Sequence, residues 1–132
     1  MGANEQPTIL IAEDNDGHAR LLEFALAEAG LRNPQLRFKD GAETWAFLSG
    51  KSEACLQASA SYVLLLDLCM PKMGGIEVME RLNAALPLKN LRVIVISTSD
   101  NPAELARCRT LGFPAFLPKP VDFNKLAQLI KC

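Results

Sequence analysis

The sequence predicts an α/β fold, a doubly wound five-stranded parallel sheet in the order 2-1-3-4-5. Three observations predict it. Short apolar runs alternate with helical patterns five times along the 132 residues. The first, third and fourth runs are almost unbroken Ile, Val and Leu, the pattern of strands covered on both faces. The second run, Gln35-Leu36-Arg37-Phe38-Lys39, alternates polar with apolar, and the fifth ends at Pro118, which lacks a ladder N–H; both belong at sheet edges. Edges at strands two and five select 2-1-3-4-5 over the dinucleotide-binding order, and the switch point then falls between strands one and three.

Thr8–Ala12 is the first strand, and a helix follows over 16–30, with Asn15 or Asp16 as its cap and Gly30 as its stop. The edge strand Gln35–Lys39 leads into a helix over 41–50. Ser49–Ser61 is longer than a tight connection, and residues 54–58 within it suit a short extra helical turn. Tyr62–Leu66 is the central strand and precedes a helix over 75–86. Leu91–Ser97 is the fourth strand. Pro102, after Asp100 or Asn101, suits the first turn of a helix over 101–111 that Gly112 ends. Ala115–Leu117 is the last strand, and Asp122 caps a helix over 122–131. Parallel strands joined by helices require right-handed crossovers, which puts helices on both faces.

Composition bounds the function. A chain of 132 residues argues for one domain, 1–132 with its core at about 8–131, and can bury roughly two-thirds of its unfolded surface. A net charge of −1 supplies no field for nucleic acid or anionic membrane. No apolar run approaches the ~20 residues of a membrane span, and the polar start Met1–Pro7 lacks a signal-peptide core, so a cytoplasmic protein is expected. Cys55, Cys69, Cys108 and Cys132 form no C-x-x-C pair and read as free thiols.

Asp67 is the most informative residue. It closes Tyr62-Val63-Leu64-Leu65-Leu66 and opens the turn Leu68-Cys69-Met70-Pro71-Lys72-Met73-Gly74-Gly75. Glu13-Asp14 end the first strand, and Lys119-Pro120 follow the fifth. Three acids and a lysine, each at the carboxyl end of a strand, converge on one mouth of such a sheet. Carboxylates there suit a divalent cation, and a carboxylate can serve as the nucleophile that becomes an aspartyl phosphate. Taken singly, each has a plainer reading: Asp67 as a turn residue, Glu13-Asp14 as solvated strand-end charges, Ser97 as a helix cap, Phe116 as core packing.

In combination, the acidic pair, Asp67 with Met70-Pro71 and Gly75, Ser97 at the end of strand four and Lys119-Pro120 resemble the response-regulator receiver family of two-component signalling, the CheY-like members of the flavodoxin-like topology. The resemblance runs from about Thr8 to Ile130. The pattern Asp40-Gly41-x-Glu43, the lengthened loop after the second helix and Ile96-Ser97-Thr98-Ser99-Asp100 look most similar to single-domain receivers that work with phytochrome-type kinases. It implies that Asp67 accepts a phosphoryl group from a sensor histidine kinase. It implies Mg²⁺ as the cofactor, held by Asp14, Asp67 and the backbone carbonyl of Cys69, with Glu13 acting through water. Ser97 and Lys119 then contact the phosphoryl oxygens, Phe116 takes the aromatic switch position, and a cis Lys119-Pro120 bond aims the lysine inward. The protein is on this reading no enzyme beyond its own phosphorylation and dephosphorylation. With no output domain after residue 132, its output is a partner protein, a phosphorelay step or a phosphate sink. A second copy of the chain is a further candidate partner, and the downstream target is unspecified.

Three residues depart from the family pattern. Cys69 replaces a common polar side chain, Thr98 stands where Ala or Gly is common, and Phe116 lacks a tyrosine hydroxyl. The alternative function is an Asp-nucleophile phosphohydrolase, but such enzymes place a second acid where this chain has Cys69. A flavin module of similar topology would need a Ser/Thr/Gly-rich loop where this chain has acids. The first helix carries two stripes. Ala19, Leu22, Ala25, Leu26 and Ala29 have core spacing, while Gly17, His18, Leu21 and Phe24 form a second stripe beside the mouth that reads as a kinase-docking face. His18 itself reads as an exposed first-turn residue rather than a ligand.

Overall fold

The structure, a computed structural model, describes residues 7–50, 60–85, 90–98 and 101–131. Five strands alternate with five helices: β1 Thr8–Ala12, α1 Asp16–Glu28, β2 Gln35–Phe38, α2 Gly41–Leu48, β3 Tyr62–Asp67, α3 Gly75–Ala85, β4 Leu91–Ser97, α4 Pro102–Thr110, β5 Phe116–Pro118 and α5 Phe123–Lys131. The sheet order is β2-β1-β3-β4-β5 and every pairing is parallel, with Thr8 opposite Tyr62 and Ala12 opposite Leu66 in the central pair. The predicted extra turn at 54–58 lies outside the described residues.

The unbroken apolar runs are explained by two cores, because successive strand residues point to opposite faces. Leu10, Leu64, Leu66, Val93 and Val95 pack with Phe47, Val78, Met79 and Leu82 under α2, α3 and α4. Ile9, Ile11, Val63, Leu65, Ile94 and Ile96 pack with Leu22, Leu26, Leu126 and Ile130 under α1 and α5. Fully burying such a side chain contributes about 1.5–3 kcal/mol. Both predicted edges are edges, and Pro118 is inside β5 rather than after it. Ala115 C=O accepts from Val95 N–H at 2.9 Å and Lys119 N–H donates to Ser97 C=O at 3.0 Å, so odd-numbered positions face β4. The missing N–H of Pro118 therefore points away from the ladder.

Capping resolves the alternatives left by the sequence. Asn15 caps α1 by accepting from His18 N–H, and Asn101 caps α4 by accepting from Ala103 N–H. Asp122 accepts from the N–H groups of Asn124 and Lys125 ahead of α5. Cys69 and Cys108 are free thiols, and Cys55 and Cys132 lie outside the described residues. No helix among the described residues is long and apolar enough to cross a membrane.

Candidate functional site

The carboxyl ends of β1, β3 and β5 deliver the acids and the lysine to one mouth. Glu13 follows β1 directly and is only 1% exposed. Its N–H donates to Phe38 C=O at 3.1 Å, and its carboxylate accepts from Asn15 N–H, also at 3.1 Å. Asp67 ends β3 and is buried; its Oδ1 accepts from Cys69 N–H at 3.0 Å. Lys119 follows β5, and its peptide bond to Pro120 is cis. The ammonium donates to Asp67 Oδ2 at 3.0 Å and to Glu13 Oε1 at 2.5 Å. Asp14 is exposed at the lip, and ligand atoms of Glu13, Asp14 and Asp67 lie within 4.8 Å of one another.

Burial and charge pull these groups in opposite directions. Burial pushes the Glu13 carboxyl above its ordinary value, while Lys119 and the Asn15 N–H pull it back and the Asp67 charge adds to the rise. For Lys119 burial alone would lower the pKa, but the hydrogen bonds to Glu13 and Asp67 more than reverse it, so the ammonium is held. Burial beside Asp67 also pushes the Cys69 thiol up, which keeps it protonated and a poor nucleophile near neutral pH.

The donor set fits a hard divalent cation. Three converging carboxylates against a single ammonium leave a local excess of negative charge, and every donor is oxygen. The β3–α3 turn beside Asp67 is tightly packed. A Cβ on Gly75 would come within 2.6 Å of Asp67 C=O and 2.8 Å of Leu68 Cα, so only glycine lets α3 start this close to the Asp67 backbone. Gly75 N–H donates to Leu68 C=O at 3.0 Å, and Lys72 takes a positive φ of 67° to make the turn.

The remaining predicted residues are placed as follows. Ser97 is fully buried at the end of β4, with its carbonyl on Lys119 N–H. Phe116 is half-buried against the α2–α4 core. Leu21 and Phe24 are 58% and 55% exposed, and Phe24 meets the Phe123 ring edge-on at 6.0 Å, which extends the patch onto α5. Gly17 is exposed on the same turn. His18 is in the first turn of α1 with its side chain 44% exposed, and it makes a contact that the sequence did not show. Its Nδ1 lies 3.1 Å from Lys119 Nζ and 3.9 Å from Glu13 Oε2. The ammonium can only donate, so Nδ1 accepts. The stripe beside the mouth included His18, but the contact itself could not be read from the sequence, since Lys119 is 101 residues away. A cleft of about 550 Å³ opens beside it, lined by His18, Leu21, Thr98, Lys119, Val121 and Phe123.

A parallel sheet in the order 2-1-3-4-5, with acids at its switch point and a lysine just ahead of a cis proline, defines a doubly wound α/β protein of the flavodoxin-like topology. The chain belongs to the response regulator receiver domain family, whose model matches residues 9–131. Among curated relatives, the two-component response regulator ORR1 of Oryza sativa subsp. indica is 29% identical over 126 residues, covering 94% of this chain and 54% of the relative. The chain thus spans about half the length of that relative. Solved structures similar to it include the phosphorylated cyanobacterial phytochrome response regulator RcpA, with 31% identity, a TM-score of 0.77 and coverage of 96% and 89% of the two chains. The Mn²⁺-bound form of response regulator Rcp1 is also similar, with 26% identity, a TM-score of 0.75 and coverage of 95% and 89%.

Proposed function

We propose that this chain is a single receiver domain that accepts a phosphoryl group on Asp67, in a Mg²⁺-dependent reaction, from the phosphohistidine of a sensor histidine kinase. The observation that carries this reading is the meeting of Glu13, Asp14 and Asp67 at one mouth, with the Lys119 ammonium bridging Glu13 and Asp67. An Asp67 carboxylate oxygen attacks phosphorus, the P–N bond breaks, and the kinase imidazole leaves with the bonding pair. Asp14, Asp67 and the Cys69 carbonyl would hold the metal, with Glu13 acting through water. Bound there, Mg²⁺ offsets the repulsion between the acids and the incoming anion. Lys119 shifts its hydrogen bonds from the carboxylates to a phosphoryl oxygen, and the Ser97 hydroxyl takes another. Phe116 then repacks at the α4–β5 surface and changes which partner is bound.

The kinase is of phytochrome type on this reading, supported by the likeness to RcpA. Its phosphohistidine helix docks on Gly17, His18, Leu21 and Phe24, the face that borders both the mouth and the cleft. Output is by a partner protein, a second copy of the chain or a relay step, and the cytoplasm is where these partners meet. Asp67→Asn is nearly isosteric but is not a nucleophile. Intact mass after incubation with a small acyl phosphate should show one added phosphoryl group on the native chain and none on the variant. A phosphorylated Asp67→Asn chain would put the acceptor elsewhere.

A further inference from the structure

We infer that Arg37, on the edge strand β2, is a positioning residue for the metal-binding acid Asp14; this rests on the metal reading given above. Asp14 is exposed at the end of β1 and within reach of Glu13 and Asp67, so its aim depends on how its backbone is held. The peptide unit that sets that backbone begins at the Glu13 carbonyl. Arg37 holds this oxygen twice, from Nε at 3.1 Å and Nη2 at 2.8 Å. Its third nitrogen, Nη1, donates to Asp16 Oδ1 at 2.7 Å, in the first turn of α1. One planar fork thereby ties the edge strand, the end of β1 and the start of α1 across the loop that carries Asp14. Arg37 pairs with Ile11 in the sheet, whose side chain belongs to the α1–α5 core, so the guanidinium emerges on the α1 side. Lysine cannot reproduce this, because an ammonium is a point donor without the fork geometry.

The assignment makes a prediction opposite in sign to simple electrostatics. Arg37 is a cation close to a cation site, so deleting its charge should by Coulomb's law tighten metal binding. Loss of positioning should weaken it instead. Supporting contacts behind metal ligands typically change affinity about ten-fold or more when removed.

The test is Mg²⁺ titration by calorimetry of the native chain, Asp14→Asn, Arg37→Met and Arg37→Lys, with urea unfolding run alongside. Binding by the native chain and its loss in Asp14→Asn establish the site itself. The expected result is weaker Mg²⁺ binding by about ten-fold in Arg37→Met and a smaller but clear weakening in Arg37→Lys. Both chains should still unfold cooperatively, since Arg37 lies on an edge strand outside the core; should Arg37→Met not fold, Arg37→Lys decides. Unchanged or tighter binding in a folded Arg37 variant overturns the assignment while leaving the metal site standing. A native chain that binds no Mg²⁺ overturns the metal reading and this inference together.

Discussion

Lys119→Met should destabilise the chain in a way that depends on pH. Methionine keeps most of the stem's length and apolar contact but removes the ammonium. The side chains of Lys119, Glu13 and Asp67 are 10%, 1% and 7% exposed, so two carboxylates lose their partner in a site with little water. Removing one member of a buried ion pair costs about 3–5 kcal/mol when the remaining charge cannot escape. Glu13 has an escape, because it can take a proton. In the native chain burial already raises its pKa and Lys119 opposes the rise. Without Lys119, burial and the Asp67 charge act together and the pKa climbs further. A carboxyl whose folded pKa exceeds its unfolded value gives stability that is fully present below the unfolded value and is lost as pH rises through the folded one. The unfolded value is 4.5, so the variant's deficit opens above that pH and grows toward neutrality. Near pH 8 the expected deficit is about 3 kcal/mol, the low end of that range. For a chain of this length that is about 10 °C in Tm. The stability that the raised pKa of Lys119 contributes is fully present below 10.5 and is lost only above it, outside this window. Thermal melts of both chains across the acid-to-neutral range read the effect, and Mg²⁺ should raise the variant's Tm by more than the native chain's, since it replaces the missing positive charge. An equal deficit at acid and neutral pH would refute the reasoning.

Gly41→Ala should cost about 1–3 kcal/mol or more in urea unfolding, because the added methyl would sit 1.7 Å from Met73 C=O and the β3–α3 turn would have to move. Leu21→Glu should slow phosphotransfer from a kinase while leaving phosphorylation by a small acyl phosphate unchanged; equal losses with both donors would indicate a damaged site instead. The aspartyl phosphate should decay slowly, because Thr98 borders the cleft beside Lys119 and Cys69 offers no strong acceptor to orient water. Thr98→Ala and Cys69→Asn should each speed decay of the purified phosphoprotein in Mg²⁺, and decay at the native rate in both would rule out control at these positions.

The sequence by itself determined the order of elements, both sheet edges and the three strand ends that carry acids or lysine. These were legible because they are local. A run of Ile, Val and Leu with turn residues after it marks a strand whichever neighbours it finds, and Glu13, Asp67 and Lys119 each sit within two residues of such an end. Element ends shifted by a residue or two, as with Pro118, whose place in β5 depends on which side its neighbours bond. The partners of those residues were decided only by the tertiary structure. Lys119 and Glu13 are 106 residues apart, and no local pattern says that one ammonium will bridge Glu13 and Asp67. His18 read as an exposed first-turn residue of the stripe beside the mouth, and its contact with Lys119, 101 residues away, exists only in the fold. Arg37 read only as the polar half of an alternating edge strand, since the carbonyl it holds lies just past the end of the neighbouring strand. Side-chain chemistry and periodicity fix where each group leaves the backbone, but contacts across the sheet exist only once strands have paired in register, and that pairing places the acids, the lysine and the arginine around one mouth.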